Sequence, residues 1–466
     1  MTSFLQKQTN RYAVPLLRLF HRAQCLRLRL ESWFSSLFRS QPRIAVTACW
    51  RFPIYSQTFV QQEVTALAHA GFPLRFFYGE LGPRSELAHP CAILWSLKRR
   101  VFLHRITGAD DLAHYRSRMP EKVEALTCRL AHAVGMSESE LERQEHYLHA
   151  FCFTRMVEAW RADYIHSYFF YEQSLFALVA ATLLDLPRGV SCYADHLLQD
   201  YALKAMPLHL DDCAILVATS RRIRDELEGL RQAPLDSVLV KPNAVDAQSF
   251  PPRPAPGAAA GQREIPLVSI CRLDRKKGLE YFIEAVGLLR AEGFPVVAHI
   301  IGLADANSPD SLEYERALRE QAASPSLAGA VRFLGRCDSH QVREQLQAAG
   351  VFVAPFVELP NGDKDGIPTA VLEAMAAGCP IVASDAGSIT EIIEPGRDGL
   401  MVPQRDAGAL AAAIATCLRN PEQARALGRA AAERARAEFD IRVCELAFHD
   451  RIRKVVRQAR VAESQP

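Results

Sequence analysis

Residues 351–385 read VFVAPFVELPNGDKDGIPTAVLEAMAAGCPIVASD. The stretch opens on a continuous apolar run at 351–355 and closes on a second at 380–384. Short runs of this kind, without polar alternation, are strands buried on both faces. Between them, 368–377 carries the composition of a buried helix. Pro368 suits its first turn, and Gly378 followed by Pro380 stops it. Strand, helix and strand in so short a span make a βαβ unit, and such a crossover requires parallel strands.

The same alternation runs outward in both directions. Strands are expected at 43–49, 73–78, 163–168, 189–193, 214–219 and 237–241, and then at 267–271, 296–302, 331–334, 351–355 and 380–384. Helices are expected at 57–70, 120–134, 138–160, 172–184 and 221–230, then at 279–291, 312–322, 340–348, 368–377 and 407–418. The class is α/β, with parallel sheets covered by helices on both faces. A Pro/Ala/Gly stretch without periodicity, PPRPAPGAAAG at 251–261, is the best candidate boundary. The expected organisation is a basic amphipathic segment (1–42), a Rossmann-like domain (43–250), a linker (251–263), a second Rossmann-like domain (264–430) and a helical tail (431–466) that could fold back across the first domain. Two doubly wound domains so joined place a cleft between the carboxyl ends of their sheets, where such folds bind ligands.

Composition narrows the function. A chain of 466 residues is too long for one compact core, and 49% hydrophobic with 23% charged residues is the balance of a globular enzyme. The net charge of +2 gives no electrostatic reason to expect nucleic acid. The 12 cysteines form no C-x-x-C pair, which excludes a zinc ribbon or disulfide framework and suits a reducing cytosol. The most apolar stretch, 168–186, is interrupted by Glu172 and Asp185 and reads as a buried helix rather than a membrane span.

The first 43 residues differ in kind. They carry Lys7, Arg11, Arg18, Arg22, Arg27, Arg29, Arg39 and Arg43 against one acid, Glu31, with leucines, Trp33 and phenylalanines between. No h-region or cleavage site marks a secretory signal. A helix lying on an anionic leaflet is one reading; a helix docked on the protein's own surface, or a disordered leader, is the other.

Two stretches carry chemistry. Residues 269–279 read SICRLDRKKGL. A strand ends at Cys271 and a helix opens near Gly278, so Arg272 and Lys277 lie on a cationic loop beside a helix N-terminus. Such a loop is an anion site. Each charge-assisted bond is worth about 1.5–3 kcal/mol, and two or three hold a diphosphate. A solvated basic turn is the alternative. In the second stretch, Asp365 sits on the loop feeding a helix and Glu373 lies about two turns further on. A loop carboxylate beside free amides can hold sugar hydroxyls, and a helix carboxylate can accept from a ribose diol. Taken singly, each acid reads as an exposed helix-terminal charge.

Together the two stretches resemble the donor site of the family 4 glycosyltransferases. The resemblance runs on through Phe333-Leu-Gly335, residues 348–355, Ile381-Val-Ala-Ser-Asp385-Ala-Gly387 and Glu391-Ile-Ile, covering 267–415 in order. It implies the GT-B fold, two Rossmann-like doubly wound domains facing a cleft, and transfer with retention. The family's E-x7-E motif falls on Asp365 and Glu373, with aspartate in place of the first glutamate. By that resemblance Asp365 touches the donor sugar, Glu373 the ribose, and Arg272 with Lys277 the diphosphate. Gly366, Ile367, Pro368 and Thr369 complete the loop, and the backbone at Gly335, Arg336 and Cys337 meets the base. Cys271 stands where the family usually has glycine.

The N-terminal half resembles the acceptor-binding half. Phe52-Pro-Ile-Tyr-Ser56-Gln57-Thr58 looks like its first βα loop, with Gln57 where glutamate is common, and Ile165-His166-Ser167-Tyr168 looks like its His-containing strand end. Val190-Ser-Cys-Tyr193-Ala-Asp195-His196 resembles the segment that usually supplies an active-site histidine, whose place falls to Tyr193 or to His196. The implied catalytic set is His196, Asp195, Arg272, Lys277 and Asp365, with Ser56, Gln57, Thr58, His166 and Tyr193 on the acceptor side. Asp363-Lys364-Asp365 spells a D-x-D, but Asp365 already belongs to the donor motif. No metal is expected, and the nucleotide diphosphate sugar is a co-substrate rather than a cofactor.

The resemblance is greatest to bacterial exopolysaccharide transferases of the colanic-acid type. It implies a cytoplasmic hexosyltransferase acting on a glycan or lipid-linked acceptor, at the inner face of the membrane if residues 1–43 bind there. The rivals are a GT-B phosphorylase or sugar-phosphate synthase, and a non-catalytic membrane-associated binding protein. A nicotinamide-linked dehydrogenase is disfavoured, because no G-x-G-x-x-G follows the early strands.

Overall fold

The computed structural model describes residues 2–36, 41–48, 51–54, 57–87, 89–103, 107–193, 203–231, 237–251, 253 and 264–464. The chain divides into two compact units. One comprises residues 1–218, 224–241 and 445–466; the other comprises 219–223 and 242–444.

The first unit is built on a parallel sheet, in the order Arg100–Phe102, Leu74–Tyr78, Ile44–Thr47, Tyr164–Tyr168, Arg188–Cys192, Ile215–Ala218 and Val238–Val240. Counted along the chain this is 3-2-1-4-5-6-7, the doubly wound pattern. Its central strands are buried throughout, as IAVT at Ile44–Thr47 and ILVA at Ile215–Ala218 illustrate. Glu172–Leu184 is apolar on nearly every side because it is buried on nearly every side. Pro120–Val134 begins on its proline and ends on Gly135 in the left-handed region, the usual start and stop.

The second unit carries a six-stranded parallel sheet in the order Val331–Gly335, Val296–Ile301, Ile265–Ile270, Val351–Ala354, Ile381–Ser384 and Leu400–Val402. Within the unit this is 3-2-1-4-5-6. The order reverses between Ile265–Ile270 and Val351–Ala354, which pair directly through Leu267 with Val351 and Val268 with Phe352. The two loops leaving these strands at their carboxyl ends therefore emerge side by side, at the switch point where doubly wound sheets take their ligands.

Several expectations are corrected. The helix expected over 138–160 is two, Glu138–Leu141 and Glu145–Trp160: a capping box between Ser137 and Glu140 starts the first, and the backbone turns extended at Gln144 (φ −72, ψ 126) before the second begins. Two edge strands, Arg100–Phe102 and Leu400–Val402, and the polar helix Gly108–Arg118 carry too little periodicity to be found by pattern. Residues 242–250 group with the second unit rather than the first. Val245 donates to Phe439 O at 2.9 Å, Ile441 donates back to Val245 O at 3.0 Å, and Phe250 lies in that unit's core. The final helix, Ile441–Ser464, starts in the second unit and belongs from Glu445 onward to the first. At the other terminus, Thr2–Ser36 is a single helix packed against Glu145–Trp160. Most of the expected linker, 252 and 254–263, lies outside the described residues.

Candidate functional site

The site of the second unit is assembled from the two switch-point loops. After Ile265–Ile270 the chain passes through Cys271 and Arg272 into a single tight turn, Arg275–Lys277, capped by the Asp274 carboxylate, which accepts from Lys276 N at 3.3 Å. Gly278 follows with φ +57, and a Cβ there would stand 2.1 Å from Pro355 O. Only glycine lets the helix Leu279–Ala291 open this close to the neighbouring loop. Lys276 O accepts from Val357 N at 2.9 Å, which ties the two loops together through the backbone.

The pairing continues through side chains. Lys276, almost fully buried, sits 3.1 Å from Asp363 and 4.0 Å from Asp365. Lys277 forms an ion pair with Asp365, and its ammonium lies 4.3 Å from the Phe356 ring centroid. Asp365 is fixed from behind. Its carbonyl oxygen accepts from Ser388 N at 3.2 Å and from Arg222 Nη2 at 3.2 Å. Gly387 makes room for it, since a Cβ at 387 would lie 2.3 Å from that oxygen. Arg222 also donates to Ser388 Oγ at 3.1 Å, and the amides of Arg221 and Arg222 donate to the Glu391 carboxylate at 2.8 and 3.0 Å.

The loop then enters the helix Thr369–Ala376 with Pro368 at the N-cap, one position earlier than a first-turn proline. Asn243 Nδ2 donates to Ile367 O at 2.7 Å and so holds the entry residue. The first amides of a helix have no partner inside it, so this turn offers donors beside Asp365. Glu373 lies one turn further in, partly buried. Burial outweighs the attraction of Arg343 and pushes its carboxyl up to about 7.

The structure thus brings Lys277 and Asp365 into contact and places Gly366, Ile367, Pro368, Thr369 and Glu373 on one continuous loop and helix. Arg272 is exposed and reaches no nearer than 3.8 Å to Asp274, its one ion-pair partner among the described residues. Gly335, with φ +66, ends its strand and accepts from Gly302 N at 2.9 Å. Arg336 follows it, and Cys337 packs on the same apolar cluster as Ala370 in the first turn of the helix. Cys271 is partly buried, and burial pushes its thiol up to about 12. The two readings of these charges as a solvated basic turn and exposed helix-terminal acids do not describe Lys276, Lys277, Asp365 or Glu373.

Sequence reasoning gave no site role to Lys276, Arg222 or Asn243, and met Asp363 only in the D-x-D spelling and Glu391 only as part of the family resemblance. Lys276 lay in view within RKKG. Arg222 and Asn243 come from far along the chain, with no local signal of their role.

In the first unit, Ser56, Asp195 and His196 lie outside the described residues. Gln57 precedes the helix Thr58–His69, and Thr58 is its first residue. His166 is enclosed. Its Nδ1 meets Tyr164 Oη at 3.0 Å, its Nε2 meets Ser191 Oγ at 2.9 Å, and burial lowers its pKa to about 4. Tyr193 is buried between Phe59 and Phe169, with ring centroids 4.4 and 5.2 Å away. Neither side chain faces solvent in this structure. Below them lies a charged cluster that sequence did not suggest. Lys241 Nζ stands 2.5 Å from Glu63 and 2.8 Å from Glu445, all three buried.

Comparison with known proteins agrees with this geometry. Residues 265–420 match the family model described as glycosyl transferases group 1. The putative colanic acid biosynthesis glycosyltransferase WcaL of Escherichia coli is 27% identical over 379 residues, spanning 78% of this chain and 88% of that one. The amylovoran biosynthesis glycosyltransferase AmsK of Erwinia amylovora is 35% identical over 148 residues, 32% of this chain and 34% of its own length. Among solved structures, Anabaena Alr3699/HepE in complex with UDP-glucose superposes with a TM-score of 0.64, covering 90% of this chain and all of that one at 15% identity. That likeness establishes the GT-B fold. With the switch-point loops of the second sheet inside the matched region, residues 265–420 are a glycosyltransferase group 1 domain.

Proposed function

We propose that this protein transfers a hexosyl group from a nucleotide diphosphate sugar to a glycan or lipid-linked acceptor, with retention, during synthesis of a secreted or surface polysaccharide. The observation that carries the reading is the Lys277–Asp365 pair, a cation and a carboxylate held in contact at the switch point between two helix N-termini. In the reaction, negative charge grows on the departing diphosphate. Lys277, Arg272 and the free amides at Thr369–Ala376 are the groups that would stabilise it. Asp365, released from Lys277 as phosphate takes its place, would accept from the hydroxyls of the sugar, and Glu373 from the ribose diol. Arginine, lysine and helix amides supply the positive charge that a divalent ion would otherwise bring, so no metal is invoked. Acceptor recognition is assigned to the first unit, with Gln57 and Thr58 among its contributors. The UDP-glucose complex of the Anabaena protein and the polysaccharide roles in the names of the WcaL and AmsK relatives support the donor class and the setting.

The test is calorimetric titration with UDP, GDP and ADP in EDTA, for the wild type and for Arg272→Ala/Lys277→Ala. One nucleotide is expected to bind at about micromolar, roughly −8 kcal/mol, and the double variant is expected to lose it. Equal binding by the variant would overturn the placement of the diphosphate.

A further inference from the structure

The helix Thr2–Ser36 is inside out. A helix on a globular surface normally turns its apolar stripe to the core and its polar face to water. Here the docked face carries His21, Gln24, Cys25, Leu28 and Ser32, all buried. Cys25 and Leu28 pack it against Glu145–Trp160 within the apolar core, while at its edge His21 Nε2 lies 3.4 Å from Asp111 and Arg18 makes an exposed ion pair with Asp110 at 2.8 Å. The outward face carries Leu16, Leu19, Leu26, Leu30, Trp33 and Phe34, each 51–66% exposed. At 100° per residue these six fall within about one third of the helix circumference. Arg22 and Arg29 border this stripe on one side and Arg27 on the other.

We infer that this outward face of Thr2–Ser36 lies on an anionic lipid bilayer, with Leu19, Leu26, Leu30 and Trp33 in the interface and Arg22 and Arg29 at the headgroups. The pattern of a broad apolar stripe edged by arginines, with tryptophan at the boundary, is that of a helix lying in the membrane plane. No helix of the described residues is long and apolar enough to cross a membrane, so the helix lies on the bilayer and does not span it. Charge argues against a second copy of this chain as the occupant. A two-fold contact through this face would set arginine edge against arginine edge. Glu31, the one acid among residues 15–36, is already taken by Arg75 at 2.7 Å. An anionic headgroup layer satisfies both edges at once.

The inference does not rest on the transferase reading, because lipid binding is measured without substrate. The full chain is sedimented with phosphatidylcholine vesicles and with vesicles containing 30% phosphatidylglycerol, at low and high salt, beside Leu26→Asp/Leu30→Asp and Arg22→Gln/Arg29→Gln. All four side chains point away from the protein, so unchanged thermal melting is expected of both variants. The wild type is expected to bind the anionic vesicles and to be released by salt. Loss of the two arginines is expected to weaken binding about thirtyfold, at about fivefold per residue, and Leu26→Asp/Leu30→Asp to abolish it. No binding, or equal binding to both vesicle types, overturns the inference. So does a concentration-dependent dimer that Leu26→Asp/Leu30→Asp dissolves, which would make this face an interface between copies.

Discussion

Replacing Lys241 with methionine tests how the C-terminal helix is secured in the first unit. Lys241 follows the edge strand Val238–Val240, Glu63 comes from Thr58–His69, and Glu445 from Ile441–Ser464. The ammonium is within 2.8 Å of both carboxylates, and all three side chains are buried. Burial by itself would raise Glu63, but Lys241 draws it below the ordinary carboxylate range. Burial pushes Glu445 up to about 7 against the attraction of Lys241, with Glu63 adding repulsion. One lysine therefore compensates two acids, the second only partly. Removing it leaves buried carboxylates facing each other, and breaking a buried pair from one side costs about 3–5 kcal/mol. In a unit of this size that is a fall of about 6–20 °C in melting temperature.

The defect should depend on pH with a definite sign. Without the lysine both acids have folded pKa values above their unfolded ones, so their burial is tolerated when protonated and penalised as pH rises through the folded values. The gap between wild type and Lys241→Met should therefore be widest near pH 8 and narrow by pH 5. Adding Glu63→Gln and Glu445→Gln to Lys241→Met should close most of it. Differential scanning calorimetry at both pH values reads the gap directly. A shift under 2 °C, or a gap independent of pH, would refute the charge argument and leave Lys241 as a packing residue.

Two further outcomes concern the second unit. Glu373, with its carboxyl near 7, passes from about 90% ionised at pH 8 to about 10% at pH 6. If its carboxylate accepts from ribose, nucleotide affinity should fall severalfold over that interval in the wild type, while Glu373→Gln binds weakly with a flat calorimetric profile. Because its folded pKa is raised, the stability of this unit should decline as pH climbs through 7 in the wild type and not in Glu373→Gln. Gly278→Ala forces a methyl to 2.1 Å from Pro355 O at a left-handed φ. The loops must separate, so a loss of at least about 2 kcal/mol in stability and of nucleotide binding is expected by thermal melting and titration. An unperturbed variant would mean that the close approach of the loops is not needed.

The strands and most helices were legible because their signals are local. A strand buried on both faces must be a continuous apolar run, as IAVT and VFVA are, and Pro120 with Gly135 states where a helix can start and stop. The loop at 271–278 and the acid pair Asp365 and Glu373 could be placed as a site because their chemistry is also local: cations after a strand, and acids around a helix entry. Expectation failed where the signal was short or shared. Arg100–Phe102 and Leu400–Val402 are too brief to show a period, and the extended backbone at Gln144 interrupts a pattern that reads as one helix.

What tertiary structure alone decided is which distant groups meet. Sequence placed Lys277 and Asp365 in one site, but their contact exists because Ile265–Ile270 and Val351–Ala354 are neighbours at the point where strand order reverses. Asn243 reaches Ile367 across 124 residues, and Lys241 reaches Glu445 across 204. The helix Thr2–Ser36 shows the division most clearly. Its amphipathic composition was plain in the sequence, yet both of its faces carry leucines, and nothing local says which side docks. That was decided by the packing of Cys25 and Leu28 against Glu145–Trp160 and by Asp111, which meets the buried His21, leaving Leu19, Leu26, Leu30 and Trp33 outside. Residue order sets periods and caps over a few turns, while pairing across the chain is settled only when the whole of the apolar surface and every buried charge must be accommodated together.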